Sequence, residues 1–321
     1  MSRPRQNNPV TVLAGDAIAR YGFGDGHPFG PDRQAAFLSG LDERGLPGKV
    51  RLEAPKDASR ADVELFHSPH HVEFVEQMSR AGEGFLDFGD TPALPGIFDA
   101  AMSVVGTTLR AGEMVMSGRC RRAFVPIAGL HHAARVRTSG FCVFNDCAVL
   151  IAALRKRHGI RRIAYVDIDA HHGDGVFYGF AEDPDVLVAD IHEDGRFLFP
   201  GTGHRDETGE GEAVGTKLNI PLLPGAGDEE FRAAWSEIET YLTEAHPEFI
   251  ILQCGADSIA GDPITHLQFS EDAHGAAAAS LCEIADRFSD GRLVALGGGG
   301  YNRRNIATGW SRVVQEMVEN T

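Results

Sequence analysis

From residue 145 onward the chain alternates amphipathic stretches with short apolar runs. The first stretch predicts a helix from Asp146 to about Arg157, which Asn145 can cap and Gly159 can end. The run Arg162-Ile163-Ala164-Tyr165-Val166-Asp167-Ile168 reads as a strand. Further apolar runs follow at 186 to 189, 249 to 252 and 292 to 296, separated in part by helical stretches at 228 to 245 and 271 to 288. Strands alternating with helices predict an α/β fold with a parallel sheet covered by helices.

In such sheets ligands bind outside the carboxyl ends of the strands, so the residues after each strand are the ones to inspect. After 162 to 168 comes Asp169-Ala170-His171-His172-Gly173-Asp174-Gly175. In extended backbone residues two apart share a side, so Asp167, Asp169 and His171 can converge. After 249 to 252 comes Gln253-Cys254-Gly255-Ala256-Asp257, and after 292 to 296 comes Gly297-Gly298-Gly299-Gly300-Tyr301. The glycines permit close backbone approach to a ligand before a phenol is presented. Two carboxylates and an imidazole with one coordination position left open make a catalytic rather than a structural zinc site, and Asp169, His171 and Asp257 are the candidates. Upstream, Gly129-Leu130-His131-His132-Ala133 offers a histidine pair. Asp167 and Asp174 are carboxylates in excess of the metal ligands and are available to orient one imidazole each. Taken singly, each feature has a plain explanation: a helix-capping Asp, a half-buried Tyr, one buried and one solvated His. It is the set that points to chemistry.

Composition narrows the class. With 321 residues, 43% of them hydrophobic, the chain can bury a large core, and no linker divides it, so one domain over 1–321 is expected, with residues 1–8 flexible. The start is polar, and no apolar run of about 18 residues appears, which argues against secretion and membrane spanning. Five cysteines without CxxC spacing fit reduced, buried thiols and a cytoplasmic location. A formal charge of −16 argues against nucleic acid as a partner and would attract a cationic substrate, although it also serves solubility.

The histidine pair, the stretch from Asp167 to Gly175 and the glycine-tyrosine run together closely resemble the histone deacetylase family, including its bacterial acetoin-utilisation and acetylpolyamine branches. The likeness also takes in His27-Pro28-Phe29-Gly30-Pro31-Asp32-Arg33 and Phe199-Pro200-Gly201-Thr202-Gly203. It implies the arginase-deacetylase fold, three αβα layers around a mostly parallel sheet. By the resemblance, Asp169, His171 and Asp257 bind Zn2+, with Fe2+ the alternative ion. His131 and His132 are the general acid-base pair, oriented by Asp167 and Asp174, and Tyr301 donates to the substrate carbonyl and then to the oxyanion. Phe141 and Phe199 match two aromatic tunnel walls, Asp90 matches a rim carboxylate, and Gly140 and Ile264 join the substrate-binding set. Arg33 matches an arginine near an internal cavity. A structural K+ is implied around Asp167, Asp169, His171, Asp190 and Ile191, with Asp190 standing where many relatives have serine.

The implied reaction is removal of acetyl groups from acetylated amines. Asp90, Glu193 and Asp194 on rim segments favour a small acetylpolyamine, such as acetylcadaverine or acetylspermidine, ahead of acetyl-lysine in a protein. Ile264 supplies no acidic gatekeeper, and no insertion marks a dimeric polyamine specialist, so the oligomeric state is open. A two-manganese ureohydrolase of the arginase kind is disfavoured, because Asp169-Ala170-His171-His172-Gly173 lacks the second bridging carboxylate. A silent acetyl-amine binding protein is the remaining alternative.

Overall fold

The computed structural model describes residues 10–24 and 26–321, so the expected flexible segment over residues 1–8 lies outside them. Among the described residues eight strands form one sheet: β1 (Thr11–Leu13), β2 (Arg51–Glu53), β3 (Arg122–Val125), β4 (Ile163–Asp167), β5 (Val186–Glu193), β6 (Lys217–Leu222), β7 (Phe249–Gln253) and β8 (Leu293–Leu296). Their order is β2-β1-β3-β8-β7-β4-β5-β6. Every neighbouring pair is parallel, so the expected mostly parallel sheet is parallel throughout. In β4, β7 and β8 every residue is buried, as a sheet covered on both faces requires.

The helices read from periodicity are present at Asp228–Ala245 and Glu271–Phe288. The helix Asp146–His158 begins where Asn145 accepts the Ala148 N–H at 2.9 Å and ends where Gly159 turns left-handed, at φ 67°. The strand expected over 162 to 168 is one residue shorter at each end. The run expected over 186 to 189 instead continues to Glu193, because the buried Asp190 and His192 satisfy each other (2.7 Å) and allow polar residues inside the sheet. Strands β1, β2, β3 and β6 and the long helix Ile97–Met116 have no counterpart among the elements expected from the hydrophobic pattern. β1 and β2, at three residues each, are too short for any periodicity to register. All five cysteines are buried and unpaired. Among the described residues no helix is long and apolar enough to cross a membrane.

The strand order is what assembles the chemistry. β3, β8, β7 and β4 are consecutive in the sheet, so the segments after them meet at one edge although they lie up to 170 residues apart in the chain.

Candidate active site

Asp169 and His171 follow β4, and Asp257 follows β7. Each of the three is buried and offers one ligand atom, and these atoms lie within 4.8 Å of one another. His171 Nδ1 is 3.0 Å from Asp169 Oδ1 and 3.2 Å from Asp257 Oδ2. Asp257 Oδ1 accepts the Ala170 N–H, but among the described residues no group, His171 Nδ1 included, makes a hydrogen bond of good geometry to the buried Asp257 Oδ2. A buried carboxylate oxygen without a donor is costly, and a cation removes that cost. Burial and the neighbouring Asp169 charge push the Asp257 carboxyl well above the usual carboxylate range, which a divalent ion would reverse. The surrounding backbone is glycine for steric reasons: a Cβ on Gly255 would lie 2.0 Å from Asp169 Oδ2, and one on Gly299 2.0 Å from Asp257 Oδ2. The donor set, its burial and its unpartnered oxygen all fit a small divalent cation such as zinc.

Beside this cluster, His131 Nδ1 lies 2.7 Å from Asp167 Oδ2, and His132 Nδ1 lies 2.7 Å from Asp174 Oδ1. Burial disfavours charge on both rings. For His131 the charges of Asp167 and Asp169 outweigh it and raise the pKa. For His132 burial, reinforced by His131, lowers it. The structure thus brings together both histidines, both orienting carboxylates and the three metal candidates.

Several buried residues to which the sequence pattern assigns no part in the site hold this arrangement. The Asp146 carboxylate accepts the N–H groups of Gly129 and Leu130 and the Thr108 hydroxyl, fixing the turn before the histidines. Asn145 caps its helix with Oδ1 and donates from Nδ2 to the carbonyls of His131 and Ala133. Gln253 donates to Asp169 Oδ2 at 2.8 Å and accepts the Gly255 N–H at 2.7 Å. The Asn145-Asp146 pair at a predicted helix start is the one signal the chain offers for these residues; Gln253 gives none.

Tyr301 leaves the glycine run with its N–H donating to Asp262 Oδ2 at 2.8 Å, and Asp262 Oδ1 accepts the Ile264 N–H at 3.1 Å. Among the described residues nothing hydrogen-bonds to the Tyr301 hydroxyl, and burial raises its pKa, so the phenol stays protonated. Arg33 is fully buried under the run, donating to the carbonyls of Gly298 and Gly300 and packing 4.0 Å from the Phe29 ring centre, with no partner for Nη1 among the described residues. A cavity of about 20 Å³ is lined by His131, His132, Asp169, His171, Gly140 and Tyr301 among others, room for about one water.

Toward solvent, the Phe141 ring stands edge-on to Tyr301 (6.0 Å), and the Phe199 ring stands edge-on to His132 (5.0 Å). A Cβ on Gly140 would strike His132 at 2.6 Å and Phe199 at 2.8 Å, so only glycine leaves this passage open. Asp90, Gly140 and Phe199 line one groove of about 390 Å³. Burial and the adjacent Asp87 raise the Asp90 carboxyl to about 6. Ile264 is half-buried and lines neither cavity.

Two expectations about charge need correction. Glu193 is buried, with both oxygens taken by His266, and Asp194 is held by Arg196, which keeps its carboxyl down at about 2. Neither is a free rim anion, because each found a nearby cation or donor. Asp190 is likewise engaged, with one oxygen on His192 and the other on the Gly173 N–H, while it faces Asp167 across the β4–β5 register. Ile191 is buried next to it in β5.

Known proteins resemble this chain over most of its length. The family model described as histone deacetylase domain matches residues 27–317. The acetoin utilization protein AcuC of Bacillus subtilis is 37% identical over 309 residues, covering 92% of this chain and 79% of the relative. A probable deacetylase of Archaeoglobus fulgidus is 38% identical over 280 residues, covering 86% of this chain and 77% of the relative. Histone deacetylase clr6 of Schizosaccharomyces pombe is 31% identical over 311 residues, covering 94% and 75%.

Proposed function

The chain belongs to the histone deacetylase family and is a hydrolytic deacetylase of acetylated amines; we propose that it works with one zinc ion at Asp169, His171 and Asp257, iron(II) being the alternative. The observation that carries this is the buried, donorless Asp257 Oδ2 facing the His171 ring and Asp169. Zinc, when bound, polarises the acetyl carbonyl and lowers the pKa of water from about 15.7 toward 7.

The rest of the chemistry belongs to the chain. One of the His131 and His132 rings accepts the proton of the attacking water, and one returns a proton to the departing amine nitrogen. Asp167 and Asp174 hold both rings by Nδ1, which leaves each Nε2 for the proton transfers. The uncommitted Tyr301 hydroxyl donates to the carbonyl oxygen and holds it as it gains charge. Phe141 and Phe199 confine the alkyl stem, Gly140 leaves room for it, and Asp90 meets the polar part of the substrate at the rim. Ile264 stands at the margin of this set. A structural potassium ion among Asp167, Asp169, His171, Asp190 and Ile191, bound largely through backbone oxygens, belongs to the same reading, as does a cytoplasmic location.

The preference for an acetylpolyamine rests on three rim carboxylates, two of which are engaged by partners within the protein. That leaves Asp90 alone to meet a distal ammonium and supports acetyl-lysine in a polypeptide as the first substrate, with acetylpolyamine second. The test is zinc-loaded turnover on an acetyl-lysine peptide, acetylcadaverine and acetylspermidine, with Tyr301→Phe as control. Turnover of the peptide well above the polyamines, lost in the control, is expected. Faster turnover of acetylspermidine would reverse the substrate order, and no turnover on any member would favour a binding protein.

A further inference from the structure

Among the described residues three that are not glycine have positive φ, and Phe141 is one of them, at 64°, directly after Gly140 at 53°. A phenylalanine in the left-handed region carries strain, so other contacts must hold it there. Both backbone polar groups of Phe141 are taken by side-chain hydroxyls from distant loops. Its N–H donates to Thr91 Oγ1 at 3.1 Å, and its carbonyl accepts the Tyr21 hydroxyl at 2.6 Å. The Tyr21 oxygen also accepts the Val143 N–H at 3.0 Å, so one phenol spans the turn from 141 to 143. Tyr21 and Thr91 are both completely buried. The Tyr21 ring is wedged edge-on against Phe23 and Phe29, and Thr91 donates onward to Asp87 Oδ2, whose other oxygen gathers the N–H groups of Gly89, Asp90 and Thr91. The chemistry uses neither hydroxyl.

We propose that Tyr21 and Thr91 are positioning residues that hold the Phe141 wall in its left-handed conformation, setting the tunnel width and tying it to the rim loop that carries Asp90. This rests on reading Phe141 as a tunnel wall. The brace acts at a distance from the reacting atoms, through one ring and its backbone.

The test uses two near-isosteric variants, Tyr21→Phe and Thr91→Val, with Thr91→Ser retaining the hydroxyl. Crystal structures of the zinc-loaded variants should show Phe141 outside the left-handed region and its ring displaced from Tyr301, with Asp169, His171 and Asp257 in place. By calorimetry, affinity for a hydroxamate with a lysine-length alkyl stem should fall about tenfold in the first two variants and hold in Thr91→Ser. Affinity for acetohydroxamate, which has no stem, should not change. In a Phe141→Ala background, Tyr21→Phe should cost nothing further. A Phe141 ring that stays put in both variants, or the same loss in the Phe141→Ala background, overturns the proposal. Neither readout needs turnover, so a chain that hydrolyses no acetamide would count against the deacetylase reading, while ring position decides the brace.

Discussion

The Nε2 atoms of His131 and His132 lie 3.2 Å apart, facing each other, while each Nδ1 faces its own carboxylate. A carboxylate at Nδ1 keeps the proton there and leaves Nε2 as an acceptor. Two bare acceptors at this distance repel, so the pair is most comfortable when it shares one extra proton between the two Nε2 positions. That is the state needed by a site that must take a proton from water and give one to an amine.

Asp174→Asn tests that arrangement, because an amide can turn its NH2 toward His132 Nδ1 and invert the tautomer. We expect kcat to fall by about 10²- to 10⁴-fold with little change in KM and an intact fold by circular dichroism. An unchanged kcat would remove His132 from proton transfer.

Asp257→Asn should separate stability from metal binding. Zinc at about a hundred times its Kd should stabilise the wild-type protein by roughly 2.7 kcal/mol in thermal melts, and this gain should vanish in the variant. Without added metal the variant should melt above wild type, since it no longer buries two carboxylates against one ring. A lower melting temperature without metal would show that the carboxylate is held by something other than a cation.

Acid should also loosen the scaffold. Burial lowers the pKa of His67 to about 3 and of His71 to about 4, against an ordinary value of 6.5. His67 Nε2 accepts the Asn145 N–H at 2.8 Å, which a proton on that nitrogen would abolish. A folded pKa below the unfolded one means that the unfolded chain takes up protons first. Stability should therefore be full above pH 6.5 and fall as pH drops from 6.5 toward 4, by up to about 1.4 kcal/mol per pH unit for each ring. Urea midpoints at pH 7.5, 6 and 5 would show this, and a His67→Gln variant should have the shallower slope.

Asp262→Ala removes the acceptor shared by the N–H groups of Tyr301, Asn302 and Ile264. Buried donors left unpaired cost about 1 to 3 kcal/mol, so Tyr301 should lose its placement and kcat should fall roughly tenfold or more, with zinc affinity retained. Equal losses in kcat and zinc affinity would mean that the whole edge has collapsed.

The metal candidates were legible in the chain because Asp169 and His171 sit two apart at a strand end, and because Asp257 and the glycine-tyrosine run follow strands of their own. Periodicity exposes such positions. It is silent about Asp146, Gln253, Asp262 and Tyr21, which act by accepting or donating hydrogen bonds to backbone brought near only by folding; Tyr21 reaches Phe141 across 120 residues. Glu193 shows the converse. Its charge is plain in the sequence, but His266, which hydrogen-bonds both of its oxygens, lies 73 residues away. The first third of the chain stayed unread because β1 and β2 are so short and because the helix Ile97–Met116 buries most of its surface and so presents no polar face to mark its period.

β8 is the last of the eight strands to leave the ribosome, yet it inserts between β3 and β7, in the middle of the sheet. Without residues 293–296 the strand order falls into two groups, β2-β1-β3 and β7-β4-β5-β6, and neither group carries the whole constellation: His131 and His132 follow β3, while Asp169, His171 and Asp257 follow β4 and β7. Catalytic competence therefore depends on that strand joining the two groups. A polypeptide cut before Leu293 should yield no weakened enzyme at all, and a peptide supplying 290–321 in trans is the natural candidate to complement it.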